Sequence, residues 1–425
     1  MMTPKLSHNT RRLSHLDIEG GGQIVVSDGY AYIGHMKPPH GSSIVDVSDP
    51  RKPRIVSRLA SSHWSHTHKV RVCGDIMITN VEQDRRHYLR RRAERLVAAR
   101  HKLGLALGRE PEKAELAVEL GIDLDALSDI EDSIQRGYDE GGFKVWDISD
   151  RSNPRLLSYQ RTHGFGVHRF DMDERYAYIS TEMPGYVGNI LVIYDLANPQ
   201  QPEEVSRWWM PGQHLAGGET PGWQGYGHRL HHALRVGDEL WAAVWHAGFR
   251  VIDIADITRP RTRASYTYHP WVVEPTHTVL PALARFDGRR IAVVGDEEHE
   301  HRHGQPHAGL WLFDVTDLDT ITPLSTFHVG EMDSPWSRAP GRFGMHQFRE
   351  RIDAHLVYCA WFSGGLRIVD ISNPTHPLES GFYIPEPAGD EPSPQTNDVD
   401  VDGRGLIYLL DRNRGVDLIE YRPHG

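Results

Sequence analysis

An all-β fold of repeated four-stranded sheets closed into a ring, a β-propeller of seven blades, is what this sequence predicts. Three observations predict it. The first is a phrase that recurs six times: an apolar run ending on Asp, then a small polar turn and usually Pro. It reads SIVDVSDPRKP from Ser43, FKVWDISDRSNP from Phe143, LVIYDLANPQQP from Leu191, FRVIDIADITRP from Phe249, LWLFDVTDLDT from Leu310 and LRIVDISNPTHP from Leu366. A degenerate seventh copy, VDLIEYRP, starts at Val416. The second is the period of roughly 40–60 residues, which suits four-stranded propeller blades. The third is an incomplete last repeat. NDVDVD, LIYLLD and VDLIEY supply three strands, and the chain then ends. The N-terminus holds a spare strand, TRRLSHLDI from Thr10, which completes the ring and removes an unpaired edge.

Within a repeat the strands follow from alternating or apolar runs bounded by Gly, Asp and Pro. In the third repeat they are HRFDMD from His168, YAYISTE from Tyr176, ILVIYDL from Ile190 and EEVSRWW from Glu203. The Asp and Asn after each apolar run cap a turn, and Pro fixes the exit. The ring is expected to be one domain over residues 1–425. Only the segment 83–137 breaks the pattern, as a helical insert in the second blade. DRRHYLRRRAERLVAARHKLGLALG is basic and amphipathic, and EPEKAELAVELGIDLDALSDIEDSI is acidic with periodic leucines. It is expected to serve as a lid or a homodimer contact. Its stretch GREPEKAELAVELGI is similar to a helix-turn-helix segment of bacterial sigma factors.

The phrase V-D-I-S-x-P resembles the LVIVD-repeat family of β-propeller proteins. The resemblance covers nearly the whole chain outside the insert and implies the propeller fold, not an activity.

The 425 residues carry 47 Lys and Arg against 58 Asp and Glu, a net charge of −11. That argues against a protein that tracks phosphates on a nucleic acid. Cys73 and Cys359 fall in different repeats, so no disulfide framework is expected. The first 22 residues lack an apolar signal core, and no run is long enough to span a membrane. A cytoplasmic protein is the expectation.

The 27 histidines are the outlier. Aligning the starts of the innermost strands (THKVRV, VHRFDM, HHALRV, THTVLP, MHQFRE) places His68, His168, His232, His277 and His346 at one offset. Gly22 holds this place in the first repeat and Asn397 in the seventh. The innermost strands line the central channel, so these histidines converge on the axis. Clustered neutral imidazoles leave donors and acceptors to satisfy, and a metal satisfies them. His231 competes with His232, and the alignment favours His232; a one-residue slip would reverse the faces.

A second ring comes from the ends of the neighbouring strands: Glu82, Glu182, His246, Glu297, Trp361 and Asp411, with Met36 in the first repeat. Glu82, Glu182 and Glu297 are expected to accept N–H groups from the ligating imidazoles. His246, Asp411 and Asn397 are the candidates for catalytic roles. Long loops over the same mouth bring Trp64, His66, Trp209, Trp223, Tyr226, His228, Trp271, Trp336 and Arg342, with Trp361, as candidate contacts for a small organic substrate. Arg71, Arg161 and Arg412 are further cations able to hold a carboxylate. The tract GDEEHEHRHGQPH contributes only Glu297, its tip being read as a solvated loop.

An all-imidazole shell suits Fe, Zn, Cu or Ni. The expectation is one divalent transition metal, Fe first, with Mn, Cu and Zn admissible. The architecture is similar to that of carotenoid-cleavage oxygenases, propellers with iron on four axial histidines and glutamates behind them. Selenium-binding/methanethiol oxidase propellers are a looser comparison, and the His-rich oligogalacturonate lyase points to elimination. The expected function is therefore a metal-dependent oxidoreductase of the Fe(II)/O₂ type on a small organic substrate, aromatic ones included. A lyase or hydrolase on the same ring is the alternative, and a non-catalytic scaffold the third reading.

Overall fold

The computed structural model describes residues 6–223, 227–299 and 304–423. It is built from four-stranded antiparallel meanders. The first runs Gly21–Ser27, Tyr30–His35, His40–Asp46 and Arg54–Ala60 in that spatial order. The same order repeats from His232–Val236, from Thr276–Phe286 and from Met345–Phe348. A nine-stranded sheet joins two such meanders, and Gly166 pairing with Glu82 is the junction. Only glycine fits there: its φ is 90°, and a Cβ would lie 2.3 Å from the Val81 carbonyl oxygen. The last sheet is closed from both chain ends. Thr10–Glu19 pairs with Arg414–Tyr421, starting at Thr10 opposite Tyr421. Ser7–His8 adds a strand beside Leu378–Tyr383, which the sequence did not suggest.

The recurring phrase does what its chemistry requires. The Asp closing the third strand accepts the backbone N–H two residues on: Asp46 from Ser48, Asp147 from Ser149, Asp195 from Ala197, Asp253 from Ala255, Asp314 from Thr316 and Asp370 from Ser372. Arg54 and Arg155 on the outer strands also pair with Asp46 and Asp147. The apolar residues before each Asp alternate between the two faces of their sheet and fill the gaps between sheets. One cluster joins Ile291, Val293, Leu310 and Leu312 to Phe343, Met345, Trp361 and Val369. Burying each such side chain is worth about 1.5–3 kcal/mol.

Between Ile76–Gln83 and Gly142–Asp147 the chain forms α1 (Arg86–Leu107), α2 (Lys113–Leu120) and α3 (Leu124–Arg136). They carry a small core of their own, Leu96, Ala99, Leu116, Ala117, Leu127 and Ile130. Among the described residues, no helix is long and apolar enough to cross a membrane.

Candidate metal centre

The innermost strands share one irregularity. In five of them the pairing register shifts across a single residue, which has no partner on the neighbouring strand. These residues are Gly22, His168, His277, His346 and Asn397. A β-bulge re-aims the side chain it carries. Here the bulged positions and His68 line one cavity of about 300 Å³, except Gly22, which contributes no side chain.

Around this cavity the rings touch in sequence. Centroids are 5.4 Å apart for His68 and His168, 4.9 Å for His168 and His231, 4.0 Å for His231 and His277, and 4.6 Å for His277 and His346. The circuit then passes through His346 Nδ1 on the Asn397 carbonyl and Asn397 Nδ2 on the Gly22 carbonyl at 2.8 Å. No histidine fits at Gly22, because a Cβ would lie 2.8 Å from His68 Cβ.

His231, not His232, occupies the fourth place. His232 begins the paired strand opposite Ala243, and its Nε2 lies 3.1 Å from Glu350. Glu350 belongs to a polar cluster with Arg71 and Arg169 beside a second cavity. The expectation for His232 is therefore corrected by one residue, the slip that reverses a strand's faces.

The second ring needs the same correction in three repeats. Met36, Glu82 and Glu297 line the cavity as expected. In the fourth repeat Trp245 lines it, and His246 faces outward with Nε2 on the Val273 carbonyl. In the seventh Arg412 lines it, and Asp411 instead accepts the backbone N–H groups of Gln395 and Asn413. In the sixth Phe362 lies 5.1 Å from His346, and Trp361 is fully buried in the core. Glu182 holds the equivalent position but accepts the Phe165 N–H and lies outside the cavity lining.

Glu82 and Glu297 organise the two halves of the site. Glu82 accepts from His66 Nε2 at 2.8 Å, from His168 Nδ1 at 3.1 Å and from Arg86 at 2.7 Å. Cross-strand pairing of His66 with Glu82 brings in that first histidine. Glu297 accepts from His299 Nε2 at 3.0 Å and Arg342 Nη1 at 2.7 Å, with the Nε2 atoms of His277 and His346 each at 3.8 Å. Two donor groups result, His66–His68–Glu82 and His277–Glu297–His346, each with its ligating atoms within 4.8 Å of one another.

Burial holds His68, His168, His231, His277 and His346 well below the usual imidazole range, and neighbouring cations add to it. They are neutral, the form that ligates. Burial pushes the Glu297 carboxyl up, but His299 and Arg342 hold it well below its ordinary value. Three of the rings have an acceptor beside Nδ1, which favours the Nδ1–H tautomer. A neutral imidazole whose Nδ1–H donates to a carboxylate or carbonyl presents its lone pair at Nε2. The acceptors are Glu82 for His168, the His277 carbonyl at 2.9 Å with His232 Nδ1 at 2.8 Å for His231, and the Asn397 carbonyl for His346.

Of the expected substrate contacts, His66 and Arg342 line the cavity. The others do not. Trp271 is 93% exposed and Trp64 49%. Trp209 donates to Glu219, Trp223 stacks on His228, and the Trp336 carbonyl accepts from Ser363, so these three anchor loops. Tyr226 lies outside the described residues. Arg71 sits beside the second cavity, and Arg161 donates to the Asp139 carbonyl. Residues that the sequence reading passed over include Lys69, Arg85, Arg86 and His299. His299 belongs to the tract read as a solvated tip, and no strand period reaches it.

The fold places the chain among β-propellers. It aligns with the C-terminal WD40 domain of Sif2 (TM-score 0.52, 10% identity, 96% of this chain and 97% of that one). It aligns with a chain of the mitotic checkpoint complex (0.53, 8%, 98% and 96%). It also aligns with the periplasmic gluconolactonase PpgL of Pseudomonas aeruginosa (0.56, 10%, 89% and 88%). At these identities the likeness is one of fold alone. The chain carries the LVIVD repeat, matched by that family at residues 21–60 and 355–384. No curated protein matches the sequence.

Proposed function

We propose that this propeller is a metal-dependent enzyme whose axial histidines hold a divalent transition metal. The observation that carries the proposal is the contact of His168 Nε2 with His231 Nε2, 3.1 Å apart, each ring having an acceptor beside its Nδ1. With both Nδ1–H groups donated, the facing Nε2 atoms need a proton or a cation between them. His346 turns a third lone pair into the same cavity, and His277 stands between it and His231. Imidazole with carboxylate is a donor set suited to Fe(II), and two histidines with one glutamate form the facial arrangement of non-haem iron oxygenases. We therefore read the activity first as an Fe(II)-dependent oxidation of a small organic substrate. The metal would supply a redox centre.

The chain's own residues do the rest. Glu82 and the carbonyls of His277 and Asn397 orient the imidazoles. Arg342 and His299 hold Glu297 in place. Counting the nine-stranded sheet as two blades, we read seven blades in all. Residues 83–137 we read as a lid, because Arg85 and Arg86 at the start of α1 enter the cavity wall.

A second reading has its own observation. Two separate His–His–Glu groups in one cavity suit a pair of ions that together activate water, as in metal-dependent hydrolases. Metal analysis with redox titration separates the two. A redox-active ion at one per chain supports the oxidoreductase, and two redox-inert ions support the hydrolase. A folded protein that takes up no metal overturns both.

A further inference from the structure

We infer that Arg412 is the binding clamp for a carboxylate on the substrate, and that the substrate is a small aromatic carboxylate. The inference adds a substrate class to the proposed function, yet it stands on residues other than the donor groups. The cavity wall carries Lys69, Arg85, Arg86, Arg342 and Arg412 against Glu82 and Glu297. Two of the cations are committed, Arg86 to Glu82 and Arg342 to Glu297. Lys69 donates to the Gly22 carbonyl at 2.9 Å.

Arg412 differs. Among the described residues no group hydrogen-bonds its guanidinium or pairs with it in a salt bridge. It lies over the Phe362 ring at 5.6 Å, and Arg342 lies over the same ring at 5.0 Å. Two guanidiniums thus flank one aromatic side chain beside His346. Sheltered charge of one sign costs free energy unless an opposite charge meets it. The planar fork of arginine matches a carboxylate with two parallel hydrogen bonds.

The rest of the wall suits an aromatic body. Met36 and Trp245 line the cavity, and Trp245 is held by Arg229 stacked at 4.2 Å. A cavity of about 300 Å³ admits a single substituted ring and little more. The place of Arg412 in the fold supports the assignment. It is the seventh-repeat member of the ring that supplies Glu82 and Glu297, so its side chain faces the candidate metal donors.

The test is calorimetric titration of the full-length protein with benzoate, metal-loaded and metal-stripped, against Arg412→Met and Arg412→Lys. The expected result is saturable binding that weakens at least tenfold in Arg412→Met. Arg412→Lys falls between, because it keeps the charge and loses the fork. Metal content and thermal midpoint should match the parent in both variants. If Arg412→Met fails to fold, the comparison with Arg412→Lys decides. Equal benzoate affinity in parent and variants overturns the clamp, as does the absence of benzoate binding by the folded parent. Inorganic phosphate binding more tightly than benzoate overturns the carboxylate assignment. Metal uptake without benzoate binding rejects the clamp alone. Benzoate binding without metal uptake rejects the metal reading and keeps the clamp.

Discussion

His168 and His231 meet ring to ring, with their Nε2 atoms 3.1 Å apart and each Nδ1 committed elsewhere. The two come from adjacent sheets and share no local motif. Their contact exists because one strand carries a bulge at His168 and the next sets both His231 and His232 opposite Ala243. The fold thus sets two ring nitrogens face to face, an arrangement that a shared proton or a metal cation joins.

His231→Ala should therefore reduce metal uptake more than His232→Ala, which removes only a neighbour 2.8 Å from His231 Nδ1. His232 is as buried as His231 but turns toward Glu350. Metal content per folded chain checks this. Equal loss in both variants would show that stability, not ligation, governs uptake.

Arg342→Met should weaken metal affinity roughly 10–100-fold, the usual cost of removing a partner that orients a ligand. Arg342 holds Glu297 Oε1 at 2.7 Å. Competition with a chromophoric chelator measures the change. The fold should survive, because Arg342 is partly exposed at the rim.

Trp361→Ala should destabilise the protein by about 3–5 kcal/mol, as expected for removing a fully buried aromatic. Its ring meets Phe327 edge-on in the core between two sheets. Denaturant unfolding gives the value. Folded Trp361→Ala protein should still bind metal, since Phe362 and not Trp361 faces His346.

Acid should lower the protein's stability in part through the turn aspartates. Ser48 hydrogen bonds and Arg54 lower the Asp46 carboxyl to about 2, and Ser149 with Arg155 lowers Asp147 to about 2. A carboxyl depressed in the folded state stabilises above its unfolded value, near 4, and that stability is lost as pH falls from there toward 2. Asp46→Asn keeps the acceptor for the Ser48 N–H and cannot titrate. Its thermal midpoint should therefore fall less between pH 4 and pH 2 than that of the parent.

The propeller was legible because strand chemistry repeats within each blade: an apolar run, an Asp that caps, a Pro that exits. Closure by Thr10–Glu19 was legible from the missing strand at the other end. The axial histidines were legible as a class, yet four ring positions were read one residue away. His232, His246, Trp361 and Asp411 each stand next to the residue that faces the cavity. Strand side chains alternate faces with a period of two, and a bulge shifts that phase without leaving a mark in composition. His66 and His299 reach the cavity from outside the innermost strands, through pairing of Ser65–His66 with Ile76–Gln83 and through the Glu297 contact. Such placement depends on tertiary contacts that no repeat alignment encodes.

Metal content of the purified protein, before and after reconstitution with Fe(II), tests the central claim most directly. The account predicts at least one transition-metal ion per chain, lost in a folded His168→Ala, His231→Ala double variant. A parent protein that stays metal-free after reconstitution, with its thermal midpoint unmoved by any divalent transition metal, would contradict it.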